Sequence, residues 1–318
     1  IGIGGIGMSG IASILTKQGY TVSGSDIKES ALTRKLSQKG ITIFKGHDAS
    51  HIARAQAVVY SSAIREDNPE LLAAKNKGLL IMRRAEALAA LMQDKICIAV
   101  SGAHGKTTTT ALVSYMLLQC GFHPTVAIGG ILHNLDDNCC LGESDLFVAE
   151  ADESDGTFLY YRPTYPIVMN IDKEHLDFYQ SWQDILLAYT QFIAHTKDNG
   201  CLFCCGDDPA IRRITQGYKK RIVYFGLSPD NDFYARDIRL HDFSSTFTYC
   251  YKGKAIGKAT LGLSGTHNIS NSLAVIALGR ELEIAFGDIE KALATFKGTE
   301  RRFELKLDSR GIKVIDDY

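Results

Sequence analysis

The chain reads as an α/β protein built from two domains, and three observations predict it. Short apolar runs alternate with amphipathic stretches through the first part of the chain, the pattern of a parallel, doubly wound sheet. A glycine-rich turn, IGIGGIGMSG, opens the sequence, and a second glycine-containing loop, SGAHGKTTTT, follows a fresh apolar strand about a hundred residues later. At 318 residues the chain has room for both, since domains commonly run to about 100 to 200 residues.

Taken in order, IGIGG predicts a strand and MSGIASILTKQ a helix; TVSGSD is a second strand, followed by a polar helix and the strand ITIFKG. AVVYSS, PELLAAKNKG and LLIM continue the alternation, and RRAEALAALMQD is a helix that closes the first domain, taken as 1–92. The second domain, 93–318, starts at the strand KICIAVSG and continues through PTVAIGG, DLFVAEAD, PIVMN, CLFCCGD and RIVYFG, with helical segments between. From Asp232 to Gly262 the runs FYARDIRL, FTYCYKG and AIGKATLGL carry little helix signal and predict a small antiparallel appendage. The chain begins inside a strand and stops at VIDDY, so both ends read as cut edges of something longer.

Composition removes several classes of function. Thirty-five basic residues against 36 acidic ones leave a formal charge of −1, so no global field points to nucleic acid or to an acidic membrane surface. No apolar run approaches the roughly 20 residues that span a bilayer, and no signal segment opens the chain, so a soluble cytoplasmic protein is expected. The eight cysteines follow no disulfide spacing, and Cys201, Cys204 and Cys205 lie in CLFCC, which reads as a buried strand rather than half of a zinc site.

SGAHGKTTTT sits between a strand and a helix, the context a phosphate-binding loop requires. Backbone N–H groups across Gly102, Ala103, His104, Gly105, Lys106, Thr107 and Thr108 can converge on phosphate oxygens at the helix N-terminus. Lys106 would bridge the β- and γ-phosphates of ATP, and the Thr107 hydroxyl would bind Mg²⁺. Val100 stands where the strict phosphate-loop pattern has its first glycine. Two acidic strand ends follow: DLFVAEADESDG brings Glu150, Asp152, Glu153 and Asp155, and NIDKEHLDFY brings Asn170, Asp172, His175 and Asp177.

At the amino terminus, Gly2, Gly4 and Gly7 satisfy GxGxxG, and Asp26 falls about 20 residues on, which is the Rossmann dinucleotide fingerprint. Gly4, Gly5, Ile6 and Gly7 form the turn and the helix start, and Ser61 and Ser62 end a neighbouring strand. The turn alone would suit NAD. Backbone amides at a helix start, however, hold the diphosphate of UDP as readily as that of NAD, and a dehydrogenase has no use for the ATP loop.

The motifs GIGGIGMSGIA, SGSD, GAHGKTTTT, AEADESDG, NIDKEHLDFY, GTHNISN and RRFE, in this order, resemble the Mur ligases. That resemblance implies a family of three domains that bind the uridine nucleotide, ATP and the incoming amino acid in turn. The closing DDY resembles the start of the family's DDYAHHP stretch, so the third, C-terminal domain is expected to be absent here. The implied activity is ATP-dependent joining of L-alanine to the lactyl carboxylate of UDP-N-acetylmuramate through an acyl phosphate, in peptidoglycan precursor synthesis. Its runners-up are a ligase that attaches a preformed tripeptide to the same sugar nucleotide and a non-catalytic nucleotide-binding module.

Residue by residue, the resemblance gives Lys106, Glu150 and His175 the catalytic roles, with Thr107, Glu150 and His175 on magnesium. It puts His267, Asn268 and Asn271 at adenine, Arg302 at the ATP phosphates and Asp316 near the ribose. Two positions depart from the family pattern. Ala103 replaces a usual threonine, and no lysine lies between Lys173 and Lys197, where several sister ligases carry a carbamylated lysine.

Overall fold

The computed structural model describes residues 1–132, 137–299, 304–309 and 312–316. The chain divides into two compact units, Ile1–Asp94 with Asn138–Leu141, and Lys95–Asp137 with Gly142–Tyr318.

In the first unit, two parallel strand pairs, Ser23–Asp26 with Thr42–Lys45 and Ala57–Tyr60 with Leu80–Arg83, flank the first three residues of the chain. The Gly2 and Ile3 N–H groups donate to the Ser25 carbonyl at 2.8 and 3.0 Å, while the Ile1 ammonium donates to the Val59 carbonyl at 2.7 Å and Ser61 N–H to the Ile1 carbonyl at 3.1 Å. Ile1–Ile3 therefore does the work of the expected opening strand. In chain order the strands lie third, second, first, fourth, fifth, a parallel sheet whose carboxyl ends share one edge.

The sheet is covered on two sides. Ile3, Ala12, Leu36 and Ile41 form one core cluster, drawing on helices Ile6–Lys17 and Ala31–Gln38; Ile1, Ile52, Val58, Leu71 and Ala74 form another, drawing on helix Pro69–Asn76. Each fully buried Leu or Ile adds about 1.5 to 3 kcal/mol of transfer free energy. Helix Arg84–Met92 closes the unit, its Glu86 side chain accepting from Arg83 N–H at 2.6 Å.

The second unit is organised around strand Ile96–Ser101, which pairs in parallel with Leu146–Glu150 on one side and Tyr165–Val168 on the other. Thr125–Leu132 lies beyond the former, and Cys201–Cys205 then Arg221–Gly226 beyond the latter, all parallel. Cys97 through Val100 are wholly buried, so this strand reads as a continuous apolar run. CLFCC is likewise a buried strand, as its composition predicted.

The three strands read as an appendage prove to be a continuation. Phe233–Leu240 pairs in parallel with Arg221–Gly226, and Ser245–Tyr251 and Lys254–Leu261 follow antiparallel in the same sheet, which is therefore mixed. Helices Lys106–Gln119 and Thr266–Glu281 are apolar on nearly every side and buried accordingly, and each starts beside the carboxyl ends of the parallel strands.

Candidate functional site

Each unit gathers its own set of the residues singled out in the sequence. In the first unit the set is the glycine turn. Gly2 has φ +76°, and Gly5 caps helix Ile6–Lys17 with Ile6 exposed at its first position. A Cβ on Gly4 would lie 2.8 Å from Asp26 Oδ2, one on Gly7 would lie 2.7 Å from a guanidinium nitrogen of Arg84, and one on Gly2 would lie 3.1 Å from the Ser61 Cβ. At Gly2 the left-handed backbone itself favours glycine, while at Gly4 and Gly7 a side chain would press on the Asp26 carboxylate and on the mobile end of Arg84.

Asp26 spends its carboxylate on the turn. Oδ2 accepts from Gly4 N–H at 2.9 Å and Oδ1 from Lys28 N–H at 3.2 Å. Ser61 stands at the turn, whereas Ser62 is exposed beside it. Sequence reading missed Arg84, which lies 77 positions after Gly7 and was read only as part of a helix; its charge joins the positive end of helix Ile6–Lys17.

In the second unit the set is the loop Ser101–Lys106. Gly102 has φ +143°, and a Cβ there would come within 2.9 Å of Met169 Cβ and 3.1 Å of the Asn170 backbone. Gly105 has φ +84° and caps helix Lys106–Gln119; a Cβ there would be 2.9 Å from Asn271 Oδ1. Asn170 clamps the loop from the next strand end: its Oδ1 accepts from His104 N–H at 2.7 Å, its Nδ2 donates to the His104 carbonyl at 3.0 Å, and its own carbonyl accepts from Ala103 N–H at 3.3 Å. With Ala103 in place of threonine the backbone cradle stands intact.

Lys106 folds back over the loop. Its Nζ donates to the Gly102 carbonyl at 2.6 Å and to Glu153 Oε1 at 2.8 Å. Glu153 is nearly buried, and burial pushes its carboxyl above the usual carboxylate range, against the pull of Lys106. His175 Nε2 lies 3.7 Å from the same Glu153 oxygen, and His175 has a left-handed backbone, φ +57°, with its carbonyl accepting from Phe178 and Tyr179 N–H groups.

The threonine run splits by helical position: Thr107 and Thr108 are half-buried in the first turn, while Thr109 and Thr110 are core residues, Thr110 Oγ1 donating to the Lys106 carbonyl. Glu150 ends its strand directly opposite Val100, level with the start of the loop. Asp152 and Asp155 are used locally, accepting from Ser154 and Thr157 N–H groups.

Beside the loop a cavity of about 460 Å³ opens between strand ends and the start of helix Thr266–Glu281; Asn170, Cys205, Asp207, His267, Ser270 and Asn271 are among its lining residues. Two of the three residues expected at adenine, His267 and Asn271, line it. Asn268 turns away, donating to the Ser264 carbonyl at 2.7 Å, with its Oδ1 accepting from Asn271 Nδ2 at 3.4 Å. Cys205, Asp207 and Ser270 were not expected here; the acidic pair after CLFCC was the available signal. Arg302 lies outside the described residues. Asp316 ends strand Ile312–Asp316, opposite Glu304 in a hairpin.

Residues 1–96 match the model of the Mur ligase family catalytic domain, and residues 100–279 match that of the Mur ligase middle domain. The chain is 46% identical over 318 residues to a UDP-N-acetylmuramate–L-alanine ligase of Geobacter sp. (strain M21), covering all of this chain and 69% of that protein. It is 43% identical to the protein of the same name from Syntrophus aciditrophicus (strain SB), covering 66% of it.

Among solved structures, a UDP-N-acetylmuramate–alanine ligase from Thermotoga maritima superposes with a TM-score of 0.89 at 31% identity, over all of this chain and 73% of that one. The Neisseria meningitides UDP-N-acetylmuramate:L-alanyl-gamma-D-glutamyl-meso-diaminopimelate ligase superposes with a TM-score of 0.86 at 26% identity, over 94% of this chain and 98% of that one. With family models matching residues 1–96 and 100–279 and relatives aligned over the whole sequence, the chain belongs to the Mur ligase family.

Proposed function

We propose that this chain carries the sugar-nucleotide and ATP sites of a cytoplasmic ligase that joins L-alanine to the lactyl carboxylate of UDP-N-acetylmuramate. Residues 1–92 form the uridine-nucleotide domain in this reading and residues 93–318 the ATP domain. The observation that carries it is the sharing of Asn170 and Asn271 between the phosphate loop and the adjoining cavity, which gives a triphosphate and its base one continuous site. The identities to alanine ligases over the full chain support the choice of substrate.

A carboxylate is a poor acyl donor because its leaving group would be oxide. Its oxygen therefore attacks the γ-phosphorus in line, forming a C–O–P bond and expelling ADP. The alanine amine, having lost its extra proton, attacks the acyl carbon; the C–O bond breaks, phosphate leaves with the former carboxylate oxygen, and an amide remains. In the first step Lys106 turns from Glu153 to the phosphate oxygens, while the loop N–H groups hold the β-phosphate. In the first unit the N–H groups at the start of helix Ile6–Lys17, with Arg84, hold the UDP diphosphate. Well-oriented reactants gain on the order of 7 to 11 kcal/mol over free encounter, and remote anchoring of the uridine handle serves that purpose.

Thr107 and Glu150 offer oxygen donors of the kind magnesium takes, and His175 offers a nitrogen 3.7 Å from the Glu153 oxygen that Lys106 holds. Among the described residues no group of three or more His, Cys, Asp or Glu residues forms a metal cage. Bound there, Mg²⁺ would offset the charge that keeps carboxylate and triphosphate apart.

A coupled ADP-release assay on the intact protein with UDP-N-acetylmuramate and a panel of amine acceptors tests the reading. L-Alanine should be the preferred acceptor. Preference for a preformed tripeptide would favour the Neisseria-like activity, and no release with any acceptor would leave only a binding module.

A further inference from the structure

Glu70 is the most thoroughly buried carboxylate of the first unit, 1% exposed at the start of helix Pro69–Asn76. Three side chains converge on its two oxygens. Ser25 Oγ donates to Oε2 at 2.6 Å, His47 Nδ1 to Oε2 at 2.8 Å and His51 Nδ1 to Oε1 at 2.8 Å. A carboxylate only accepts, so these contacts require hydrogen on Nδ1 of both imidazoles when Glu70 is ionised. His51 is further fixed by stacking on Phe44, ring centroids 4.3 Å apart and 6° from parallel.

Each of these partners sits at the sheet edge that carries the glycine turn. The Ser25 carbonyl accepts from Gly2 and Ile3 N–H groups, and the next residue, Asp26, binds Gly4 N–H through its carboxylate and Gly46 N–H through its carbonyl. His47 follows directly on Gly46. One buried anion thus ties together the strand end that grips the turn, the loop after the neighbouring strand, and a helix on the far side of the sheet.

We propose that Glu70 is a positioning residue of the sugar-nucleotide site, holding Ser25 and Asp26 so that the glycine turn is set for a nucleoside diphosphate before the ligand arrives. The inference rests on the reading of the first unit as the UDP site. The hydroxyl of Ser25 is the link through which Glu70 acts on the turn, and the histidines supply the donors that make its burial tolerable.

The test uses the intact protein with UDP-N-acetylmuramate and, separately, UDP as calorimetric probes. Ser25→Ala cuts the link while leaving both imidazole contacts; it should weaken binding of both probes about tenfold and raise the KM for the sugar nucleotide alike, with the KM for ATP unchanged. Glu70→Gln should do the same. In the wild type, nitrogen-15 NMR should show His47 and His51 as Nδ1–H forms, a readout that needs no variant. Folded Ser25→Ala protein that binds both probes as the wild type does, or imidazoles protonated on Nε2 alone, would overturn the proposal. Failure of the wild type to bind either probe would instead remove the UDP reading on which it stands.

Discussion

Lys106 Nζ lies 2.8 Å from Glu153 Oε1, an ion pair between the phosphate loop and a nearly buried carboxylate 47 positions further along the chain. The pair gives Lys106 a resting place over the loop and gives Glu153 the counter-charge that its burial demands. Lys106→Ala should lower ADP formation by about three orders of magnitude while calorimetric binding of UDP-N-acetylmuramate stays as in the wild type. Loss of both together would contradict the division of labour between the units.

The same pair predicts a stability effect separate from activity. Removing the lysine alone strands a buried carboxylate and should cost on the order of 3 kcal/mol in denaturant unfolding of the second unit. Lys106→Ala combined with Glu153→Gln should recover most of that loss without restoring turnover. If the double variant is no more stable than the single one, the pair does not bear on folding.

Gly105 makes the loop sensitive to a single methyl group. Its φ of +84° and the 2.9 Å approach to Asn271 Oδ1 mean that Gly105→Ala should cost about 1 to 3 kcal/mol and weaken ATP binding, measured by calorimetry. Unchanged affinity would show that the loop and the cavity do not share one ligand.

The thiols supply a pH prediction. Burial pushes the Cys201 thiol up to about 12 and raises those of Cys204 and Cys205. These groups stay protonated in the folded protein while an unfolded thiol ionises near 8.5, so their contribution to stability is unchanged at neutral pH and falls as the pH rises above about 9. Mass spectrometry after brief alkylation at pH 7 should find Cys201 and Cys204 unmodified and Cys120, which is only partly buried, labelled.

What could be read from the sequence was what the chain makes locally. The strand, loop and helix of SGAHGKTTTT are contiguous, and Glu150 follows from a strand end. Contacts made across the fold carry no such signature: His104 meets Asn170 across 66 positions, and Gly7 meets Arg84 across 77. Asn268 and Asn271 share a helix face, yet only Asn271 lines the cavity, because the Asn268 amide is spent on the Ser264 carbonyl one turn back. The run from Asp232 to Gly262 showed its strands but not its place, because edge pairing with Arg221–Gly226 depends on a parallel register that alternation cannot reveal.

In the proposed reaction ATP activates the sugar nucleotide's carboxylate by direct phosphoryl transfer. UDP-N-acetylmuramate labelled with oxygen-18 in the lactyl carboxylate, turned over with ATP and L-alanine, tests it by mass spectrometry of the released phosphate. One labelled oxygen should appear in each phosphate. Unlabelled phosphate alongside normal amide formation would contradict the acyl phosphate route and the role assigned to Lys106.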